Sequence, residues 1–370
     1  MGGVETYLRN LLRSLQEVDH INQYSLICDS HYAYELPLAN PNFKVLLSNY
    51  TKPSFMWFVR GIIRNTVKID ILRPVMNRLK VDVIHHPFSF LNPLSLTIPS
   101  VLTFHDMQHE FFPEYFSAYE LKVLKEFYRP SAEQATRIIA ISEYVKSSLV
   151  EKYEIIPDKI DVIYNGYNSQ YRIIEDRDGL EKIRSKYALH RPFIYYPAAT
   201  WPHKNHKRLL TSLKIIKERF AFDGQLVLTG VAMKSNKEVL EDIRHLGLGD
   251  TVKVLGYVPY NDLPYLYNLA RLMVFPSLFE GFGIPLIEAM ACGCPIACSN
   301  VTSIPEIAGD AGVMFDPASV EDMAEKVWGL WNNEAMRQEL KLKGLERVKR
   351  FSWDSTARET IKVYGKVTSA

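Results

Sequence analysis

The feature that most constrains this chain is an alternation repeated along nearly its whole length, in which short β-branched or aromatic runs take turns with stretches of helical spacing. Such runs near 24–28, 43–47, 82–85, 100–104, 137–141 and 160–164 read as strands. A second series reads the same way: FIYYP (193–197), QLVLTG (225–230), VKVLG (252–256), LMVFPS (272–277), PIACS (295–299) and GVMF (312–315). Strands separated by helices pair in parallel, with helices on both faces and ligands beyond the carboxyl ends of the strands. At 370 residues the chain exceeds one ordinary core, so the pattern predicts two α/β domains facing a central cleft where a ligand sits.

Val4, Tyr7, Leu8, Leu11, Leu12, Leu15 and Val18 recur at three- and four-residue spacing, which starts a helix just after Gly2 and Gly3. The segment 168–190 is charged and has no strong apolar run, which makes it the linker between a domain at 1–170 and another at 190–350. In a doubly wound domain a glycine turn opening a helix follows an apolar strand, but only Met1 precedes Gly2. Either the chain starts upstream of this Met or the first domain folds without its central strand; the first reading is preferred.

Composition excludes several classes. With 47% hydrophobic and 23% charged residues the chain is globular, and a net charge of +2 gives no argument for nucleic acid. No run of about 18 apolar residues and no signal-peptide pattern is present, so the expected location is the cytoplasm. Cys292, Cys294 and Cys298 lack standard zinc spacing and read as small buried residues at a helix-to-strand turn.

The segment LFEGFGIPLIEAMACGCP, 278–295, carries the strongest chemical signal. Glu280 and Glu288 bracket Gly281 and Gly283, and glycines let a backbone pass close to a ligand while the amides opening the next helix attract anions. That arrangement suits a diphosphate, with one carboxylate for sugar hydroxyls and the other, about two turns along the helix, for ribose hydroxyls. On the residues alone, a surface carboxylate and a capping charge on an ordinary loop remain the alternative.

The segment resembles the Glu-x7-Glu motif of glycosyltransferase family 4, retaining enzymes of the two-domain GT-B fold. The likeness extends through GGVETYLRNLL at the start, TFHD (103–106), IAISEYVKSSL (139–149), VIYNGY (162–167) and PHKN (202–205), and so over almost the whole chain. It implies a metal-independent transfer of a hexose, with mannose from GDP-mannose slightly preferred over UDP-sugars, onto a glycan or polyprenyl-diphosphate-linked acceptor in polysaccharide or lipopolysaccharide synthesis. It requires no cofactor. By matching positions, Gly2 and Gly3 lie against the donor phosphates, Lys204 neutralises the leaving diphosphate, and His105 positions the donor sugar. Glu280 matches the sugar-hydroxyl ligand and Glu288 the ribose ligand. The backbone of Gly281, Phe282, Gly283 and Ile284 matches the phosphate cradle, and Gly256, Tyr257 and Val258 match the wall meeting the nucleobase. The same analogy returns the last helical stretch, 351–370, to the first domain.

Two departures stand out. The arginine usually found shortly before the lysine is absent from Ala198–Lys204, and His203 replaces it only if protonated, which its ordinary pKa of about 6.5 makes conditional. The start of the chain is the other. Both keep open a GT-B protein that has lost catalysis and binds sugar nucleotides as a subunit, or an epimerase or hydrolase acting on them.

The one Asp-x-Asp motif, Asp176-Arg177-Asp178, falls in the linker and reads as a solvated charge cluster. His85, His86 and His109 are either acceptor contacts or satisfied structural residues. The stretch 51–80 carries Lys52, Arg60, Arg64, Lys68, Arg73, Arg78 and Lys80 against Asp70, interleaved with Phe55, Trp57, Phe58, Ile62 and Ile63. That pattern fits peripheral contact with an anionic membrane surface or a packing helix with a basic edge.

Overall fold

The structure, a computed structural model, describes residues 3–28, 38–48, 55–67 and 69–369. The chain divides into two compact units: Met1–Glu110 with Phe116–Gly166 and Ser352–Ala370, and Phe111–Tyr115 with Tyr167–Phe351. Twelve strands occur among the described residues, at or within two residues of the positions the alternation predicts. They are β1 (Tyr24–Cys28), β2 (Phe43–Leu47), β3 (Ile84–His86), β4 (Ser100–Phe104), β5 (Arg137–Ala140), β6 (Ile160–Val162), β7 (Phe193–Pro197), β8 (Gln225–Thr229), β9 (Val252–Gly256), β10 (Leu272–Phe275), β11 (Ile296–Ser299) and β12 (Gly312–Phe315).

The second unit is a six-stranded sheet in the order β12-β11-β10-β7-β8-β9, every pair parallel. Its central strands are apolar on both faces, as a sheet covered twice by helices requires; all four residues of β10 are buried. One cover is the helix Val320–Asn332, capped by Ser319 and burying Met323, Ala324, Val327, Leu330 and Trp331 at helical spacing.

The charged segment read as a linker belongs to this unit, which corrects the expected boundary near 190. Asp176 caps the helix Arg177–Lys186 by accepting the Gly179 amide at 3.0 Å, so the Asp-x-Asp motif is a helix start. Ile183 is the buried residue of that helix, and Lys186 and Tyr187 both reach Asp262 at 2.6 Å. Anchoring by polar contacts and one buried apolar side chain leaves little periodicity in the sequence, which is why the segment reads as a linker.

The first unit holds a four-stranded parallel sheet, β3-β4-β5-β6, and a separate parallel pair, β1-β2. No strand joins the two sheets among the described residues. Helices connect them instead. The helix Gly3–Val18 packs Tyr7, Leu11, Leu12 and Leu15 with Phe43 of β2 and with Trp353 and Ala357 of the last helix, Trp353–Thr368. Further along, Val363 and Val367 close over Val101, Ile139 and Ile163. Tyr364 touches both sheets: its hydroxyl is 2.7 Å from His85 Nδ1, and its ring lies 6.5 Å from that of Tyr24.

The last helix is docked by close backbone approach as well as by side chains. Thr356 donates to the Tyr164 carbonyl at 2.7 Å, and a Cβ at Gly166 would fall 2.2 Å from the Trp353 nitrogen. Backbone cannot yield as a flexible side chain does. Gly166→Ala should therefore destabilise the first unit by about 3 kcal/mol or more, at the severe end for a point substitution; urea unfolding followed by tryptophan fluorescence checks this, and a change below about 0.5 kcal/mol would contradict the packing described.

Candidate active site

The second sheet starts in its middle. From β7 the chain builds outward through β8 and β9, then crosses to the other side for β10, β11 and β12. The adjacent strands β7 and β10 are where that direction reverses, and open parallel sheets bind ligands at the carboxyl ends of such strands. Lys204 lies in the segment after β7 and Glu280 in the loop after β10, and the two meet: Lys204 Nζ is 2.6 Å from Glu280 Oε1, with side chains 18% and 12% exposed.

Both loops are held by side-chain to backbone hydrogen bonds. Tyr196 donates to the Lys204 carbonyl at 2.6 Å, and Asn205, in the left-handed region at φ 60°, donates to the carbonyls of Pro276 and Pro317 at 3.0 and 2.9 Å. Ser303 binds the carbonyls of Glu280 and Phe282, and the Leu278 amide donates to the His203 carbonyl. The ion pair is thus fixed from its backbone outward, and a mostly buried pair so placed makes removal of either partner costly.

The glycine segment 281–284 lies beside it in the chain. Gly283 sits at φ 99°, closed to residues with a side chain, and opens the helix Ile284–Ala291. Pro285 has no amide, so an anion at this helix start could be met only by the amides of Gly281 to Ile284 and those beyond Pro285. The Phe282 ring is buried edge-on against Phe351 at 5.8 Å. Ile284 is half-buried.

Glu288, the second carboxylate of the motif, is 9% exposed and accepts a 3.0 Å hydrogen bond from Tyr267. Around the Tyr267 ring stand Tyr195 at 5.1 Å and Tyr171 at 5.9 Å, the latter also against Tyr260. Burial pushes the carboxyl up to about 7 despite the tyrosine hydrogen bonds. The sequence reading gave these tyrosines no site role; Tyr195 lies in the FIYYP strand run and Tyr267 in the aromatic spacing of LPYLYNL. Nearby, Gly256 ends the edge strand β9 at φ 67°, Tyr257 is 68% exposed and Val258 is buried.

His203 does not replace the absent arginine in the ligand-free site. Burial, then the charge of Lys204, pushes its ring down to about 4 and leaves it neutral at pH 7. A cation that sequence reading passed over is Arg208, four residues after Lys204 instead of before it; its guanidinium donates to Asn205 Oδ1 at 3.3 Å.

The remaining expected residues lie in the first unit. Gly2 falls outside the described residues, and Gly3 begins the first helix. His105 is buried, with Nε2 donating to the Pro87 carbonyl at 2.7 Å and its ring edge-on to Tyr7 at 4.9 Å. Burial pushes it down to about 4, so it is a neutral ring whose Nδ1 is the acceptor. His85 is bound through both nitrogens, to Tyr364 and to Thr103, and His109 Nε2 is 3.2 Å from the Tyr153 hydroxyl, so each has an internal partner. Cys292, Cys294 and Cys298 are buried free thiols raised by burial, and no cluster of three His, Cys, Asp or Glu side chains fit for a metal occurs among the described residues.

The raised Glu288 carboxyl has a definite sign. Between the ordinary carboxyl value and about 7 the folded protein binds a proton that the unfolded chain has lost, so this group's contribution to stability falls as pH rises through that window. Thermal unfolding of the ligand-free protein should show Glu288→Gln gaining stability relative to the parent between about pH 5 and 8, by up to a few degrees. Parallel pH profiles for the two proteins would remove the assignment.

Two families match the chain: residues 1–171 match "Glycosyltransferase Family 4" and residues 181–347 match "Glycosyl transferases group 1". O-antigen chain mannosyltransferase B of Escherichia coli is 27% identical over 369 residues, covering 98% of this chain and 95% of that one. Serotype-specific mannosyltransferase WbdA of Escherichia coli is 33% identical over 252 residues, 66% of this chain but 30% of the relative's length. Among solved structures, Anabaena HepE in complex with UDP and glucose superposes with a TM-score of 0.75 at 19% identity, over 99% of this chain and 96% of that one, a likeness of fold. No helix among the described residues is long and apolar enough to cross a membrane. Two Rossmann-like units, and family matches that together span both, place this chain in glycosyltransferase family 4 as a glycosyltransferase of the GT-B fold.

Proposed function

We propose that the protein is a retaining, metal-independent hexosyltransferase that moves mannose from GDP-mannose to a glycan or lipid-linked acceptor during polysaccharide synthesis. The observation that carries this reading is the Lys204–Glu280 pair at the reversal point of the second sheet, beside a glycine-opened helix. A cation and a carboxylate held 2.6 Å apart suit a donor that brings a diphosphate and a sugar together. The names of the mannosyltransferase relatives support the sugar; the HepE complex makes UDP the base to compare with GDP.

In this reading Lys204 Nζ turns from Glu280 toward the diphosphate and gains strength as the leaving oxygen gathers charge, which is where binding energy becomes rate. It supplies the charge compensation a metal gives elsewhere. Glu280, released from the lysine, accepts a hydrogen bond from a sugar hydroxyl. The amides of Gly281, Phe282, Gly283 and Ile284 complete the phosphate cradle. Glu288, ionised by the ligand, holds the ribose diol, and Gly256, Tyr257 and Val258 meet the base. His105 offers its Nδ1 lone pair to a donor hydroxyl and orients the anomeric carbon without acting as a base. The acceptor hydroxyl attacks from the face the diphosphate leaves and passes its proton to a departing phosphate oxygen, so configuration is retained. The protein works in the cytoplasm, with the basic and apolar stretch 51–80 against the inner face of the membrane.

The test incubates the protein with GDP-mannose or UDP-hexoses, with and without EDTA, and follows the product's anomeric configuration by NMR. Transfer from GDP-mannose with retained configuration, unaffected by EDTA, is the expected outcome; inversion or abolition by EDTA would overturn the mechanism. Glu280→Gln should lower turnover by about 10²–10³ with little loss of nucleotide affinity, as removal of a transition-state contact does. Glu288→Ala should weaken the nucleotide itself. Nucleotide binding without any transfer would point to a sugar-nucleotide-binding subunit.

A further inference from the structure

The second unit contains a cavity of about 380 Å³ that the donor site does not use. Pro192 and Phe193 line it where β7 begins, and Arg271 lines it just before β10. It therefore lies at the amino ends of the two adjacent strands whose carboxyl ends lead to Lys204 and Glu280.

Four arginines face this space, Arg184, Arg191, Arg271 and Arg337, together with one carboxylate, Glu334, and the exposed His190. The arginines come from four separate segments: the helix Arg177–Lys186, the entries to β7 and β10, and the helix Glu334–Arg347. Three of them are fixed by backbone carbonyls. Arg191 donates to the carbonyls of Asp223, Gly224 and Asp250, Arg271 to that of Trp331 at 3.1 Å, and Arg337 to those of Leu330 and Trp331. The Arg271 guanidinium also lies over the Trp331 ring at 4.8 Å.

Carbonyls hold a guanidinium in place without cancelling its charge. Leu330 and Trp331 lie in the last turn of the helix Val320–Asn332, and a helix end presents only about half a negative charge to the two arginines it holds here. Glu334 accepts hydrogen bonds from Arg337 and Gln338, and Arg184, its side chain 48% exposed, has a 3.7 Å contact with Glu181. The wall is left with an excess of positive charge, already oriented, in a chain whose whole net charge is +2. Capping a helix end accounts for Arg271 and Arg337; it accounts neither for the cavity beside them nor for Arg184 on the same space.

The shape of the wall restricts what fills it. Pro192, Phe193 and Leu269 add apolar surface that a bare inorganic anion leaves uncovered. The volume falls near the lower end of the range of about 300–1,000 Å³ that small-molecule sites occupy. A carboxylate takes guanidinium forks in its own plane, whereas a phosphate accepts them from several directions, which suits arginines arriving from four segments.

We propose that this cavity is a second binding site, for a small organic phosphate of sugar-phosphate size, at the far end of the strands that carry the donor site. It goes beyond the transferase reading and does not rest on it, since none of its residues belongs to the donor site.

Isothermal titration of the whole protein with glucose 6-phosphate, glucose, glucuronate and inorganic phosphate at matched ionic strength tests this. Glucose 6-phosphate should bind at least tenfold more tightly than glucuronate or inorganic phosphate, and glucose should give no binding heat. Arg184→Gln and Arg271→Lys should each weaken glucose 6-phosphate at least tenfold. Lys204→Gln, and Lys349→Gln at an exposed lysine outside the cavity wall, should leave it unchanged. Arg184 lies on a helix surface, so its replacement serves if Arg271→Lys fails to fold. Absence of glucose 6-phosphate binding, equal binding of inorganic phosphate or glucuronate, or affinity that survives both arginine substitutions would overturn the proposal. So would loss of binding in Lys204→Gln, which puts the phosphate at the donor site. A nucleotide-induced thermal shift reports on the donor site separately: a shift without sugar-phosphate binding defeats this proposal alone, and binding without a shift defeats the transferase reading alone.

Discussion

The contact between Lys204 and Glu280 exists because a parallel sheet was started in its middle. Once β8 and β9 have been added on one side and β10 on the other, the segments after β7 and β10 leave their strands as neighbours and diverge into different layers of helix. What lies between them is a place where backbone polar groups converge and helices begin. The rest of the site follows from this: Asn205 strapped to two proline carbonyls, Ser303 under the glycine loop, and Gly283 in a conformation that only glycine takes easily. None of these groups touches the partner of another by chance; each fixes the height or direction of one loop.

Much of this was legible in the residues because it depended on local pattern. The strands appear as runs, the first helix as three- and four-residue spacing, and Glu280, Gly281 and Gly283 as a polar and flexible interruption between a strand and a helix. The illegible parts depended on distant pairings. Nothing about Asp262 in the sequence says that Lys186 and Tyr187, more than seventy positions earlier, will close on it and draw the presumed linker into a domain. Nothing about Tyr267 announces a hydrogen bond to Glu288. The last helix was placed by family likeness; its own signal, Trp353, Ala357, Val363 and Val367, says that it is amphipathic but not which sheet it covers.

Histidines illustrate the same limit from the other side. His85, His86 and His105 crowd a short stretch of the first unit, and sequence treats them alike. The structure separates them by what their nitrogens meet: two partners for His85, a carbonyl for His105, and for His86 one partner, with none for Nε2 among the described residues. Burial pushes all three down, so they act here as neutral hydrogen-bonding rings whose tautomers are set by their neighbours.

The first unit draws its core from both parts of the chain, residues up to Gly166 and residues from Ser352 onward. During synthesis this inverts the usual order in which the amino-terminal domain finishes first. When Gly166 has been made, Tyr7, Leu11, Val101 and Ile139 still lack Trp353, Ala357, Val363 and Val367, the side chains that cover them. The second unit, nearly all of it one continuous stretch, has every residue it needs earlier. The half of the protein that is translated first is thus the half that must wait, with apolar surface open, until the final helix is released.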